Sequence, residues 1–369
     1  MPDRSLNVAL VISSLSGGGA ERVLVLLAKG LVDRGHHVSV VTIFGAEHDF
    51  YELPGGVRRM ALDLGGESAT IWEKVSGNVR RVRALRAAIS NERPDVVISF
   101  MPETNVLTLL ATGRLAPVIV TEHINPRMLP LGRIWAMLRR ITYRRAARLV
   151  SVSAGVDRCF EWLPSAKRAV IHNPICAADM DALGEPLAKV RTRRVVSMGR
   201  LDAQKGFDLL IEAFSRLAPK FPDWELVILG EGHERAKLEL LVAERGLGAT
   251  VRLPGALKNP FPTLRGADLF VLSSRFEGFG NALVEAMACG LAVIATDCPS
   301  GPAEIIRDRV DGRLVPALDV PALAVAMAEL MADDGERARL ATAAVESARR
   351  FDLDRVMVSW VELLAAVTT

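Results

Sequence analysis

The 369-residue sequence predicts two doubly wound α/β domains, each a parallel sheet with helices on both faces. Three observations point there. Apolar strand-like runs alternate with amphipathic helices along the chain. The alternation breaks once, near residues 172–190, and then restarts. The length is also about twice what a single core comfortably serves.

The first element is "NVALVIS" (7–13), read as a buried strand. After "SGGG" comes the helix "AERVLVLLAKGLVDRG" (20–35), in which Val23, Leu24, Leu27 and Leu31 recur at helical spacing and Gly35 is placed to cap the end. "HVSVVTI" (37–43) completes a βαβ unit, the building block of parallel sheets. "DVVISF" (95–100), "PVIVTEH" (117–123) and "RLVSVS" (148–153) extend the sheet. The segment "HNPICAADMDALGEPLAKV" (172–190) is richer in small residues and proline. Beyond it "RRVVSMG" (193–199), the helix "GFDLLIEAFSRLAPKF" (206–221), "WELVILG" (224–230), "ATVRLPG" (249–255), "ADLFVLSS" (267–274) and "LAVIATD" (291–297) repeat the pattern. The expected domains are therefore 1–178 and 190–351, with 179–189 as linker. A C-terminal helix, 352–369, is capped by Asp352 or Asp354 and available to pack back on the first domain.

Half the residues are apolar and 24% are charged, which suits a soluble globular protein and argues against disorder. No apolar run approaches the roughly 18–20 residues needed to cross a bilayer. The start, "MPDRSLNVALVISSLSGGGA", has some features of a signal peptide, but it reads better as the first strand of the regular pattern. Cys159, Cys176, Cys289 and Cys298 form no CxxC pair and have no histidine at zinc-ligand spacing, so they read as reduced thiols.

Three motifs carry chemistry. "SGGGAERV" (16–23) sets Gly17, Gly18 and Gly19 between a strand and a helix, where backbone amides can approach an anion. It is not a full GxGxxG, and no acid follows where a dinucleotide ribose would need one. "GRLDAQKGFDLL" (199–210) puts Arg200 and Lys205 just past a strand end, which suits a diphosphate; a surface salt bridge to Asp202 is the alternative. "RFEGFGNALVEAMACG" (275–290) puts Glu277 in a glycine-rich turn and Glu285 inside the following helix. Carboxylates accept hydrogen bonds from paired hydroxyls, as sugars and ribose present. Ala282, Leu283, Val284, Ala286 and Met287 surround Glu285, which fits a solvated helix position poorly.

The Glu-x7-Glu spacing of "EGFGNALVE" closely resembles the signature of the family 4 retaining glycosyltransferases, whose GT-B fold has two Rossmann-like domains facing a central cleft. "SGGGAERV", "TEH" (121–123), "GRLDAQKG" and "SGPAEII" (300–306) match in the expected order. The resemblance implies roles: the first domain, 1–178, binds the acceptor and the second, 190–351, binds the nucleotide-sugar. Glu277 contacts donor-sugar hydroxyls and Glu285 the nucleotide ribose. Arg200 and Lys205 neutralise the diphosphate, helped by amides of Gly17–Gly19. His123 lies beneath the sugar near the reacting carbon. The backbone around Phe279, Gly280 and Asn281 supports sugar or phosphate, and that around Arg252 and Leu253 the base. No metal is expected: the DxD strings "DMD" (179–181) and "DLD" (352–354) read as structural, and protein cations take the metal's part.

Two basic segments lie in the first half. Residues 74–91 carry Lys74, Arg80, Arg81, Arg83 and Arg86 without an acid. Residues 127–148 carry seven arginines and no acid, with Arg133, Arg140, Arg144 and Arg148 on one side of a helical pattern and Ile134, Leu138 and Ile141 on another. Such helices suit an anionic membrane surface or a lipid pyrophosphate. Nucleic acid fits less well, since no aromatic platform accompanies the bases and net charge is only +3. The expected protein is cytoplasmic and peripheral on the inner face of the cell membrane. It moves a hexose or N-acetylhexosamine from a nucleotide-sugar, by resemblance a UDP-sugar, to a lipid-linked or cell-surface glycan such as a polyprenyl-diphosphate-linked acceptor. A GDP-mannose-dependent mannosyltransferase is the close alternative. A sugar-nucleotide 2-epimerase and a non-catalytic glycan-binding module are the alternatives of other classes.

Overall fold

The computed structural model describes residues 4–47, 49–66, 71–176 and 193–369. The chain divides into two compact units, Met1–Pro174 with Leu353–Thr369, and Ile175–Asp352. The expected linker, 179–189, lies outside the described residues.

In the first unit the strands are β1 (Asn7–Ile12), β2 (His37–Thr42), β3 (Val57–Ala61), β4 (Val96–Phe100), β5 (Val118–Glu122), β6 (Arg148–Ser151) and β7 (Arg168–Val170). They form one parallel sheet in the order β3-β2-β1-β4-β5-β6-β7. Every residue of β4 and β5 is buried, as the near-continuous apolar runs of a doubly covered parallel sheet require. Helix Gly19–Val32 buries Val23, Leu24, Leu27 and Leu31 on one stripe. The C-terminal helix, Leu353–Thr368, packs on it: Met357 and Leu353 sit against the bare Gly30, and Arg34 pairs with Asp354 at 2.9 Å.

The second unit repeats the plan with β8 (Arg193–Met198), β9 (Trp224–Leu229), β10 (Val251–Gly255), β11 (Leu269–Leu272), β12 (Ala292–Asp297) and β13 (Arg313–Pro316), in the order β10-β9-β8-β11-β12-β13. Its core joins Val195, Leu226 and Val271 of the sheet to Phe214, Met327 and Leu330 of the covering helices. In both sheets the strand order reverses beside the first strand, between β1 and β4 and between β8 and β11. Doubly wound sheets bind ligands at such switch points, beyond the carboxyl ends of the strands.

The basic segment 127–148 is not one helix. The helix covers Arg133–Thr142; Arg144 falls in a 3-10 turn, Tyr143–Arg145, and Arg148 opens β6. The backbone leaves the helical region at Ala146, φ -60° and ψ 141°, where the chain turns into β6. Among the described residues no helix is long and apolar enough to cross a membrane.

Candidate active site

At the second unit's switch point the loop after β8 is laced to the loop after β11. Ser273 Oγ donates to the Lys205 carbonyl at 3.0 Å, the Arg275 amide to the Gln204 carbonyl at 2.7 Å, and Gln204 Nε2 to the Phe276 carbonyl at 3.1 Å. The Arg275 guanidinium holds both oxygens of Asp208 at 2.8 and 2.6 Å. Gly206 makes this approach possible. Its φ is +63°, and a Cβ there would stand 2.2 Å from the Ser273 carbonyl oxygen.

The lacing brings Lys205 to Glu277. Lys205 Nζ donates to Glu277 Oε1 at 2.6 Å, and Ser274 Oγ donates to the same oxygen at 2.7 Å. Glu277 is buried and Lys205 nearly so. The "SGPAEII" segment supports the acid from below: Ser300 Oγ donates to the Glu277 carbonyl at 2.9 Å, and Gly301, at φ +96°, lets its backbone pass against the Phe279 carbonyl. Asp202 organises the cations. Its Oδ1 accepts from the Lys205 amide at 3.3 Å and its Oδ2 from Arg200 Nε at 2.6 Å, leaving the Arg200 side chain largely in solvent. The Asp202 contact weighed from sequence is thus present, alongside an exposed guanidinium.

Glu285 lies on helix Asn281–Ala288 and is buried, so it is no solvated helix acid. Phe279, Gly280 and Asn281 form the entry to this helix, with Phe279 edge-on to Phe351 at 5.2 Å. Arg252 and Leu253 stand apart from this group. They belong to β10, separated from β11 by β9 and β8. The Arg252 side chain turns to Glu225 at 3.3 Å, and the Leu253 carbonyl accepts from Arg235 at 3.1 Å.

The first unit holds the other predicted residues. Gly17–Gly19 lead from β1 into the helix at Gly19, with Gly18 as its N-cap and the Glu21 carboxylate folded over Gly18. His123 follows β5 and stacks on Phe100 at 5.4 Å. Thr121 Oγ1 gives its only proton to the Ser99 carbonyl at 3.0 Å, so at 3.1 Å from His123 Nε2 it must accept. This assigns the proton to Nε2 and leaves Nδ1 an acceptor, buried and without a partner among the described residues. Burial holds the imidazole down to about 3, so it is neutral at physiological pH.

A network beside it was not anticipated from sequence. Glu122 ends β5 fully buried; Tyr143 donates to its Oε1 at 2.5 Å and accepts from Asn105 Nδ2 at 3.0 Å. Burial pushes the carboxyl up to about 7, against the opposing pulls of Arg139 and the Tyr143 hydrogen bond. The available signal was an acid closing the otherwise uncharged strand "VIVTE".

The surface arginines separate into two groups. Arg81 holds the Leu64 carbonyl at 3.0 Å and Asn78 at 3.1 Å, so it ties its helix to a loop. Arg80, Arg83 and Arg144 are exposed, and Arg140 is exposed with its guanidinium 5.0 Å above the Trp162 ring. Of the DxD strings, 179–181 lies outside the described residues, while Asp354 of the other is paired with Arg34.

Two doubly wound units of this kind, with His123 at the carboxyl edge of one parallel sheet and Lys205 and Glu277 at that of the other, have the GT-B fold of glycosyltransferases. Residues 18–174 match the family description "Glycosyl transferase 4-like domain", and residues 183–347 match "Glycosyl transferases group 1". Lipopolysaccharide core biosynthesis glycosyltransferase LpsE of Rhizobium meliloti is 30% identical, over 95% of this chain and 96% of its own. A Campylobacter jejuni enzyme named GalNAc-alpha-(1->4)-GalNAc-alpha-(1->3)-diNAcBac-PP-undecaprenol alpha-1,4-N-acetyl-D-galactosaminyltransferase is 29% identical, over 98% of this chain and 99% of its own. The chain belongs to the group 1 glycosyltransferases, with a glycosyltransferase 4-like N-terminal domain, and is a hexosyltransferase. Among solved structures, Anabaena HepE in complex with UDP and glucose shares the fold with a TM-score of 0.80 at 20% identity, over 98% of this chain and all of that one.

Proposed function

We propose that this enzyme is a retaining transferase that moves a hexose or N-acetylhexosamine from a UDP-sugar to a hydroxyl of a lipid-linked or surface glycan. The observation that carries the reading is the Lys205–Glu277 pair, a fixed cation and a hydroxyl-accepting carboxylate at the switch point of the second sheet. UDP is favoured by the HepE complex, whose description names UDP and glucose, and the lipid-linked acceptor by the Campylobacter relative's name.

Breaking the sugar–phosphate bond leaves negative charge on the departing diphosphate. Lys205 and Arg200 stabilise that charge, which typically contributes on the order of 10²-fold or more in rate. Glu277 fixes the Lys205 ammonium and accepts from donor-sugar hydroxyls, while Glu285 serves the ribose. The acceptor hydroxyl oxygen bonds to the anomeric carbon on the face that the diphosphate leaves, and the departing phosphate oxygen takes its proton, so configuration is retained without a carboxylate nucleophile. His123 offers Nδ1 as an acceptor to a sugar hydroxyl and, neutral with its Nε2–H given to Thr121, does not act as a general acid. The reading assigns no metal, and turnover is expected to persist in EDTA.

The acceptor is met at a membrane. Helix Arg133–Thr142 exposes Ile134 (71%), Met137 (57%) and Ile141 (56%) along one stripe, with Arg133 and Arg140 beside it. An apolar stripe flanked by cations suits the anionic inner face of a cell membrane, with the enzyme peripheral on its cytoplasmic side.

The test is a thermal-shift panel of nucleotides and nucleotide-sugars on the whole protein. A ligand at 100 times its Kd adds about 2.7 kcal/mol of stability. UDP and one UDP-sugar are expected to raise the Tm of the wild type and not of Lys205→Met. A shift with GDP-mannose alone moves the donor to the GDP class. An isomerised sugar nucleotide in the mixture would make the protein an epimerase. No shift with any nucleotide contradicts the reading.

A further inference from the structure

The amino-terminal edge of the first sheet, opposite the edge that carries His123, has a feature the transfer reaction does not use. Along that edge several arginines are paired with acids: Arg4 with Asp95 at 2.9 Å, Arg58 with Glu92 at 2.8 Å, and Arg168 with Asp157. Where β5 and β6 begin, the pattern changes. A cavity of about 360 Å3 opens there, lined among others by Leu109, Leu115, Pro117 and Val118 and by Arg114 and Arg145. No acidic residue lines it. Arg114 and Arg145 are exposed, and neither makes an ion pair or a side-chain hydrogen bond among the described residues.

The surroundings add positive charge rather than cancel it. Helix Pro102–Thr112 ends here, and the carbonyls of a helix C-terminus oppose an anion. Arg86 offsets them. Its Nη1 donates to the Ala111 carbonyl at 3.0 Å and lies 3.4 Å from where a Cβ would stand on Gly113, another lining residue. Lys167 Nζ does the same for the Arg144 and Ala146 carbonyls, at 2.7 and 3.1 Å, and Arg148 Nη1 for the Ala147 carbonyl at 2.9 Å. With these carbonyls held by cations, Arg114 and Arg145 are left without a counter-charge. Guanidinium groups present forked N–H donors that match phosphate oxygens. Leu115, 44% exposed, and Pro117 add an apolar wall that a bare inorganic ion would leave in water. We propose that this cavity binds a phosphate ester with an apolar body, its phosphate on Arg114 and Arg145 and its hydrocarbon against Leu115 and Pro117. A soluble organic phosphate and a phospholipid headgroup both offer that chemistry. The inference rests on neither the donor nor the acceptor assignment.

The experiment titrates hexyl phosphate, with methyl phosphate as the short control, into the whole protein and follows binding by saturation-transfer difference NMR. Burying one CH2 is worth about fourfold in affinity, and one charged hydrogen bond about tenfold or more. Hexyl phosphate is expected to bind the wild type at least tenfold more tightly than methyl phosphate. Its affinity should fall at least tenfold in Arg114→Glu and in Arg145→Glu, and Leu115→Ser should remove most of the advantage of the longer chain. Arg200→Met, altered at the donor site, should bind it as the wild type does. All four positions are exposed, so the variants are expected to keep the wild-type Tm. Co-sedimentation with phosphatidic acid vesicles then assigns the source: weaker binding in both arginine-to-glutamate variants identifies a lipid headgroup, and unchanged binding a soluble ester. No binding of hexyl phosphate, equal affinity for the two probes, unchanged affinity in both arginine-to-glutamate variants, or loss of binding in Arg200→Met would overturn the site.

Discussion

Lys205 and Glu277, 72 positions apart in sequence, meet at 2.6 Å at the point where the second sheet reverses its strand order. The contact depends on two loops laced together across β8 and β11, and on a glycine that lets them touch. It joins two motifs that are far apart in sequence, one read as a diphosphate site and the other as a hydroxyl site, into one charged pair. Taking one partner from a buried ion pair leaves the other uncompensated.

Lys205→Met is therefore expected to lower stability by about 3 kcal/mol, with the double variant Lys205→Met/Glu277→Met costing less than the single one. Urea unfolding of the four proteins in this cycle checks it. A double variant as unstable as the sum of the two singles would show that the pair is not coupled.

Gly206→Ala should destabilise the second unit by about 2–4 kcal/mol, because a left-handed φ and a backbone contact at 2.2 Å are both violated. Turnover should fall with it, since the same glycine lets the Lys205 loop reach β11. Gly246→Ala is a useful control: φ there is +67° but the space is open, so only the backbone term remains.

Glu122 and His123 pull stability in opposite directions with pH. Glu122 has a folded value near 7, above its ordinary 4.5, so it favours the folded state at low pH and loses that contribution as pH rises from about 4.5 to 7. His123 has a folded value near 3, below its ordinary 6.5, so its contribution is present above 6.5 and lost as pH falls toward 3. Between about 4.5 and 6.5 the two slopes, each at most about 1.4 kcal/mol per pH unit, offset one another. Glu122→Gln should then grow more stable as pH rises through this window, and His123→Asn less stable. Parallel pH profiles for the two variants in chemical denaturation would contradict these assignments.

Membrane partition separates the two basic helices. Replacing Ile134 and Met137 with Ser, or Arg140 with Glu, should release the protein from phosphatidylglycerol vesicles, with roughly fivefold weaker binding for each cation lost. Arg80→Glu and Arg83→Glu should matter less, since the exposed apolar residues beside them, Val75 and Val79, form a smaller stripe. Equal loss in both sets, measured by co-sedimentation, would remove the special role of helix Arg133–Thr142.

Much of this architecture was legible in the sequence because parallel strands buried on both faces leave apolar runs such as "VVISF". The edge strands of the first sheet were not, although β10, an edge of the second, was. β3 reads "VRRMA" and β7 "RAV", half-exposed and carrying arginine, and neither forms an apolar run. The helix at Arg133 was visible, but its end was not. The arginine spacing continues through Arg148, whereas the chain tightens to a 3-10 turn at Tyr143–Arg145 and turns extended at Ala146. At the site, residue types and spacing singled out Lys205 and Glu277. Their contact, and the supporting hydroxyls of Ser274 and Ser300, arise from loop packing that no spacing encodes. Glu122 was passed over because its raised carboxyl comes from full burial, a property of the fold.

The most direct measurement is nucleotide release from UDP- and GDP-linked sugars by the purified enzyme, with and without an acceptor lipid extract. The wild type is predicted to release UDP, and Lys205→Met to do so on the order of 10²-fold more slowly while remaining folded. Equal release by both proteins, or release from no nucleotide-sugar, would contradict the assignment of donor chemistry to the Lys205–Glu277 pair.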